Sequence, residues 1–195
     1  MTVEIRQASP ERVPALAAMF ARAFADDPLV LATLAAEDRD ERARRFFMLI
    51  EGQWADLGFL WEAGDAAGAA AWVPPEHHGA LADQNAALQG PFHALTADGG
   101  VLHDALWDWI ESRIPDEPLW FLDSIGVEPD RQGEGIGGAL VEFGLDQARR
   151  DKVPAFLETG IARNVAYYER FGFRLVEEGD APLGGPHVWF MRFDP

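Results

Sequence analysis

Apolar and polar positions alternate over residues 3–7, the two-residue period of a half-buried strand, and then the period lengthens. Val13, Leu16, Ala17, Phe20 and Phe24 recur at steps of three and four. That spacing predicts a helix opening at Ser9-Pro10, where serine caps and proline fits the first helical position, and closing at Asp26-Asp27-Pro28. A second helical period covers about residues 38–54 through Phe46, Phe47, Leu49, Ile50 and Trp54. Residues 58–62 and 68–73 read as a hairpin joined through Gly64 and Asp65, and Pro74-Pro75 stops its second strand. Residues 76–113 read as helical pieces broken at Gly90-Pro91 and Gly99-Gly100, one of them carrying Trp107 and Trp109. This stretch is longer than a turn requires, so it is expected to cover a pocket.

The apolar run over residues 119–127 breaks into a glycine-dense turn with Gly133, Gly135, Gly137 and Gly138, and helical spacing resumes at Ile136, Leu140, Val141, Leu145 and Ala148. A strand, a glycine turn and a helix N-terminus in that order make an anion cradle, because unpaired N–H groups and the helix dipole converge there. A strand after Pro154, a helix around Asn164, a strand over residues 173–177, a turn at Gly184-Gly185-Pro186 and a strand over residues 187–193 complete the pattern.

Two ligands suit the cradle. Gly133, Gly135 and Gly138 spell the G-x-G-x-x-G of dinucleotide folds, with Glu158 twenty residues beyond Gly138. Only 57 residues follow Gly138, too few for the further strand-helix units such a fold needs. The alternative, Gln132-x-x-Gly135-x-Gly137, resembles the acetyl-coenzyme A (acetyl-CoA) loop of the GNAT superfamily of N-acetyltransferases. Residues 154–159, Pro-Ala-Phe-Leu-Glu-Thr, look like that family's next strand, and residues 164–173, Asn-Val-Ala-Tyr-Tyr-Glu-Arg-Phe-Gly-Phe, like its following helix. These segments are most similar to the puromycin N-acetyltransferase-like group, and residues 23–28 and 71–76 add weaker likeness.

The resemblance implies an α/β fold in one domain over residues 1–195, with a central mixed, twisted sheet of about seven strands flanked by helices and splayed between strands four and five. It also implies acetyl-CoA as donor and direct transfer to the primary amine of a small molecule, such as a puromycin-like aminonucleoside. Backbone groups at Ile125 and Val127 are expected to face the donor, with Gly126 supplying a bulge at the splay. Gln132, Gly133, Glu134, Gly135, Ile136, Gly137 and Gly138 are expected to hold its pyrophosphate, and Asn164 to serve its pantetheine or to cap the helix. Tyr168 matches the family tyrosine that protonates the departing thiolate, whereas Tyr167 is read as packing. Glu158 stands first and Asp123 second as the base, Asp123 sharing strand parity with Ile125 and Val127. Glu134 and Asp130 are discordant beside phosphates, Arg131 being their nearest positive partner.

Composition narrows the partners. There are 33 acidic against 16 basic residues, a formal charge of −17, which argues against nucleic acid and anionic membranes and draws cationic amines. The same field repels coenzyme A, so local donors must hold it. No cysteine is present, which excludes disulfide frameworks, thiolate metal sites and an enzyme-thiol acetyl intermediate. His77-His78 project apart, and His93, His103 and His187 are scattered along the chain, so no metal site is expected. Trp107, Trp109 and Trp120 are candidates for an aromatic acceptor pocket, with core packing favoured. No export signal or spanning segment is read, and a cytoplasmic protein is expected. The sequence leaves open the amine, a homodimer, and two other functions: a protein or peptide N-acetyltransferase and a non-catalytic acyl-CoA sensor.

Overall fold

The computed structural model describes residues 3–77 and 88–195. His78, and the part of the expected helical segment over residues 78–87, lie outside them. Strand β1 (Ile5–Gln7) leads through a 3-10 turn at Pro10–Arg12 into α1 (Val13–Ala23). Helices α2 (Pro28–Thr33) and α3 (Arg39–Leu57) precede the hairpin of β2 (Leu60–Ala63) and β3 (Gly68–Val73). Then come α4 (Val101–Glu111), β4 (Trp120–Val127), α5 (Ile136–Asp151), β5 (Ala155–Thr159), α6 (Ala162–Glu169), β6 (Arg174–Asp180) and β7 (His187–Phe193).

The strands form one seven-stranded sheet in the order β1-β2-β3-β4-β5-β7-β6. Every neighbouring pair is antiparallel except β4–β5, so the sheet is mixed as expected. Alternation along β3 feeds two cores. Ala69, Ala71 and Val73 join Leu16, Phe20 and Phe47 on the side of α1 and α3, whereas Ala70 and Trp72 join Leu140, Val141 and Leu145 on the side of α5. Trp72 is fully buried and its indole N–H donates to the Leu140 carbonyl at 3.1 Å. Its ring occupies the space a side chain at Gly144 would need, which is how α5 comes down onto the sheet. No helix among the described residues is long and apolar enough to cross a membrane.

One element was not foreseen. Asp26-Asp27-Pro28 does more than end α1. Asp27 caps α2, accepting from the N–H of Leu29 at 2.8 Å and of Val30 at 3.3 Å, with Pro28 in the first turn. The cap is only 6% exposed.

Candidate active site

The site begins where the sheet comes apart. β4 and β5 pair only through Trp120–Ala155, Phe121–Phe156 and Leu122–Leu157, and beyond these the parallel strands separate. At the same point the pairing of β4 with β3 skips from Leu122 to Ser124, so Asp123 is an extra, bulged residue. The bulge was expected at Gly126. That glycine instead admits α1, since a Cβ there would sit 2.8 Å from the Phe20 ring.

The bulge also reverses strand parity. Trp120 and Leu122 pack toward α5 before it, and Ile125 and Val127 after it, while Asp123 and Ser124 both face α3. The expected parity of Asp123 with Ile125 and Val127 is therefore corrected: the extra residue sets them on opposite faces. Two consecutive polar side chains, the half-buried Asp123 and the buried Ser124, are set beside α3. Asp123 accepts a 2.7 Å bond from the indole N–H of Trp54, and the Ser124 hydroxyl donates to Glu51 at 2.9 Å.

On the α5 side of the split lies an open cleft of about 700 Å³. Its floor is Ile125, Gly126 and Val127, and its end is the N-terminus of α5. Gly133 and Gly135 hold φ of +84° and +86°, and a Cβ at either would meet nothing within 4 Å. The glycines thus serve a left-handed backbone on an open surface and are not forced by crowding. The N–H groups of Ile136, Gly137 and Gly138 precede the first intrahelical bond, from Ala139 to Gly135 at 3.0 Å, and so lack helical partners. Gln132 braces the loop, its amide reaching the Val127 carbonyl at 3.3 Å. Glu134 does not line the cleft: both of its oxygens are held by the Arg131 guanidinium at 2.8–3.0 Å, which removes the expected conflict with phosphates. Arg131, Arg163 and Arg170 line the cleft, and Arg170 lies over the Tyr167 ring at 4.8 Å. Tyr167 belongs to the cleft as well, packed close to Gly137.

Tyr168 and Asn164 stand between this cleft and a smaller chamber of about 110 Å³ on the other side of the split. The Asn164 amide donates to the Thr159 hydroxyl at 3.0 Å, and Ile161 occupies the cap position of α6, so capping is not the role of Asn164. Asp27, Asp123 and Glu158 line the chamber. Burial pushes the Asp123 carboxyl up to about 6 against the pull of the Trp54 N–H. Burial, then the charges of Asp123 and Asp27, lift Glu158 well above the ordinary carboxylate range, and one of its oxygens has no hydrogen-bond partner among the described residues. Burial, then Asp123, likewise raises Glu51, which is fully enclosed and has one unpartnered oxygen. Burial raises the Tyr168 hydroxyl too, with Tyr167 and the carboxylates adding to it, so the phenol keeps its proton. Beyond Trp107 and Asp123 an outer compartment of about 400 Å³ opens between α3 and α4.

A model of the acetyltransferase (GNAT) family matches residues 30–173. The chain belongs to this family. The mycothiol acetyltransferase of Beutenbergia cavernae is 35% identical over 77 residues, 38% of this chain and 25% of that protein, and the chain spans only 25–31% of the curated relatives it matches. Among solved structures, a Corynebacterium glutamicum protein described as histone acetyltransferase HPA2 and related acetyltransferase aligns over 100% of this chain and 97% of its own at TM-score 0.74 and 24% identity. Drosophila melanogaster polyamine N-acetyltransferase aligns over the whole of both chains at TM-score 0.62 and 16% identity. At these identities the structures establish a shared fold. Acetyl-CoA is the family's donor, and a GNAT-fold neighbour, the NatC complex, is bound to a Gag peptide and CoA.

The GNAT chain brings Tyr168, Glu158, Asp123, Ile125 and Asn164 together, all of them lining the chamber. Sequence reasoning missed Asp27, Trp54 and Glu51 and the arginines at 163 and 170. The Asp-Pro pair was a readable cap signal for Asp27. Nothing local marks Glu51, which lies 73 residues from its Ser124 partner. Trp107 lines both the chamber and the outer compartment, but Trp109 packs on Phe190 and Trp120 bonds Asp151 instead. His93 and His103, scattered in sequence, both reach Asp104, at 2.8 and 3.1 Å, and the three offer ligand atoms within 4.8 Å of one another.

Proposed function

We propose that this protein transfers the acetyl group of acetyl-CoA to the primary amine of a small molecule within a ternary complex. The observation that carries the reading is continuity. Phe24, Asp27, Ile125, Asn164 and Tyr168 line both the arginine-bearing cleft and the chamber, so a donor in one can meet an amine in the other. The cleft fits the donor on its own terms: unpaired N–H groups at Ile136, Gly137 and Gly138 and the guanidinium groups of Arg131, Arg163 and Arg170 suit a pyrophosphate. Bound acetyl-CoA supplies a thioester as the acetyl source.

This chain's residues then manage protons and position. An amine arrives as an ammonium ion and must lose a proton before attack; Asp123, pushed up to about 6 and ionised at neutral pH, accepts it, with Glu158 beside it to hold the cation. The new C–N bond forms as the C–S bond breaks, the Tyr168 hydroxyl gives its proton to the departing sulfur, and the second proton shed by the attacking nitrogen returns to the Tyr168 oxygen and restores the hydroxyl. Backbone groups of β4 beyond Leu122, no longer paired with β5, orient the acyl group. A puromycin-like acceptor is one candidate within this class, and the neighbours that act on polyamines make another.

The test is thiol release from acetyl-CoA across a panel of puromycin, arylalkylamines, polyamines and peptides, with the acetylated product identified by mass spectrometry. Turnover of a small amine is expected. Turnover of peptides alone would replace the small-molecule reading, and coenzyme A binding with no turnover of any amine would favour a sensor.

A further inference from the structure

The outer compartment has walls of an unusual kind. Asp104, Trp107, Asp108 and Glu111 stand at the i, i+3, i+4 and i+7 positions of α4, so a single stripe of the helix faces the space. A stripe turned toward a cavity is ordinarily apolar; here it carries three acids and one indole. No lysine or arginine lines either the outer compartment or the chamber among the described residues. His103, in the same wall, is pushed down by burial and is neutral.

The acids divide into two stations. At the inner end stand Asp123 and Glu158, and the unpartnered, enclosed oxygen of Glu158 awaits a donor. At the outer end the Asp104 carboxylate is fixed by His93 at 2.8 Å and Gln89 at 3.0 Å, while the exposed carboxylate of Asp108 makes no hydrogen bond or ion pair among the described residues. Ile50 and Trp107 line both spaces and supply an apolar path between the stations. The indole face of Trp107 also suits a cation.

We infer that the acceptor is a diamine or polyamine, with its reacting amine at Asp123 and Glu158 and a second cationic group seated against Trp107 and Asp108 of α4. The inference rests on the acetyl-transfer reading for its chemistry, but not for its binding. An amine carrying a carboxylate or phosphate at the far end meets like charge there and is rejected.

Thiol release and calorimetry are run side by side with putrescine, cadaverine and agmatine against n-butylamine, phenethylamine and 4-aminobutyrate. The best dication is expected to exceed n-butylamine by about tenfold in kcat/KM, with 4-aminobutyrate poorest. Asp108→Asn should shrink the putrescine-to-butylamine ratio by about fivefold and Asp108→Glu should restore it. Because Asp108 is exposed, neither variant threatens folding. Equal turnover of n-butylamine, a preference for phenethylamine, or a ratio unmoved by Asp108→Asn overturns the inference while acetyl transfer stands. Dications that bind through Asp108 without being acetylated sustain it and sink the transfer reading. Dications that neither bind nor react overturn it whatever other amine is acetylated.

Discussion

The cleft and the acid-lined spaces meet at Tyr168 yet are made of opposite materials. The cleft uses backbone N–H groups at one helix end plus Arg131, Arg163 and Arg170, most of it within a single stretch of chain. The proposed acceptor side uses side-chain carboxylates from α2's cap, β4 and β5, screened by tryptophans from α3 and α4. In a chain of formal charge −17, the Arg163 and Arg170 guanidinium groups and a helix end give the cleft a local sign opposite to the whole, Arg131 being paired with Glu134. Net charge therefore says little about which charged partner binds where.

If the two halves are separable, damage to one should leave the other's observable alone. Asp123→Asn and Tyr168→Phe are expected to give the largest effects, each lowering kcat about 100-fold with coenzyme A affinity by calorimetry barely changed. In the parent protein kcat/KM should rise with pH through about 6, because Asp123 as the proposed base works only when ionised, and that limb should vanish in Asp123→Asn. Equal loss of donor affinity in these variants would erase the distinction between the halves.

The cleft should fail in the complementary way. Arg163→Ala and Arg170→Ala are each expected to weaken coenzyme A binding about fivefold, with kcat at saturating donor little moved and the salt dependence of binding reduced. Arg131→Ala sharpens the contrast: it frees the Glu134 carboxylate now held at 2.8 Å and should cost more affinity than loss of the other arginines. A drop in kcat without a change in affinity would place these arginines in the chemistry instead.

The same division governs what could be read in advance. The cleft is sequence-local: Gln132, Gly133, Gly135 and Gly137 announce a left-handed turn into a helix, and α5 and β5 follow where apolar spacing puts them. The seven strands were legible because each carries its own period or turn signal, down to the hairpin at β2–β3. The acceptor side is assembled across long separations, Trp54 to Asp123 over 69 residues and Glu51 to Ser124 over 73, and no local pattern encodes such a meeting. The bulge at Asp123 was likewise invisible, since it arises from the register of β4 against β3 and then reverses every side chain beyond it. Asp108 could be placed on a helix but not on a cavity wall until α3 and α4 were seen to face each other.

Glu51 supplies the smallest and most selective test, because it is buried behind the acids of the chamber without lining it. Its folded carboxyl titrates well above the ordinary 4.5, through burial and the nearby Asp123. Below that value folded and unfolded chains both hold the proton, and the group contributes no pH dependence. Above it the unfolded chain releases the proton while the fold retains it, so stability falls as pH rises toward the folded value. Glu51→Gln removes this titration and keeps an acceptor for the Ser124 hydroxyl. In denaturant unfolding the variant should match the parent near about pH 4 and exceed it by about 1 kcal/mol near neutral pH. A variant weaker than the parent at both pH values would mean that the Ser124 bond outweighs burial of the acid, and that the carboxylates facing α3 are held in place by hydrogen bonding more than they are strained by their charge.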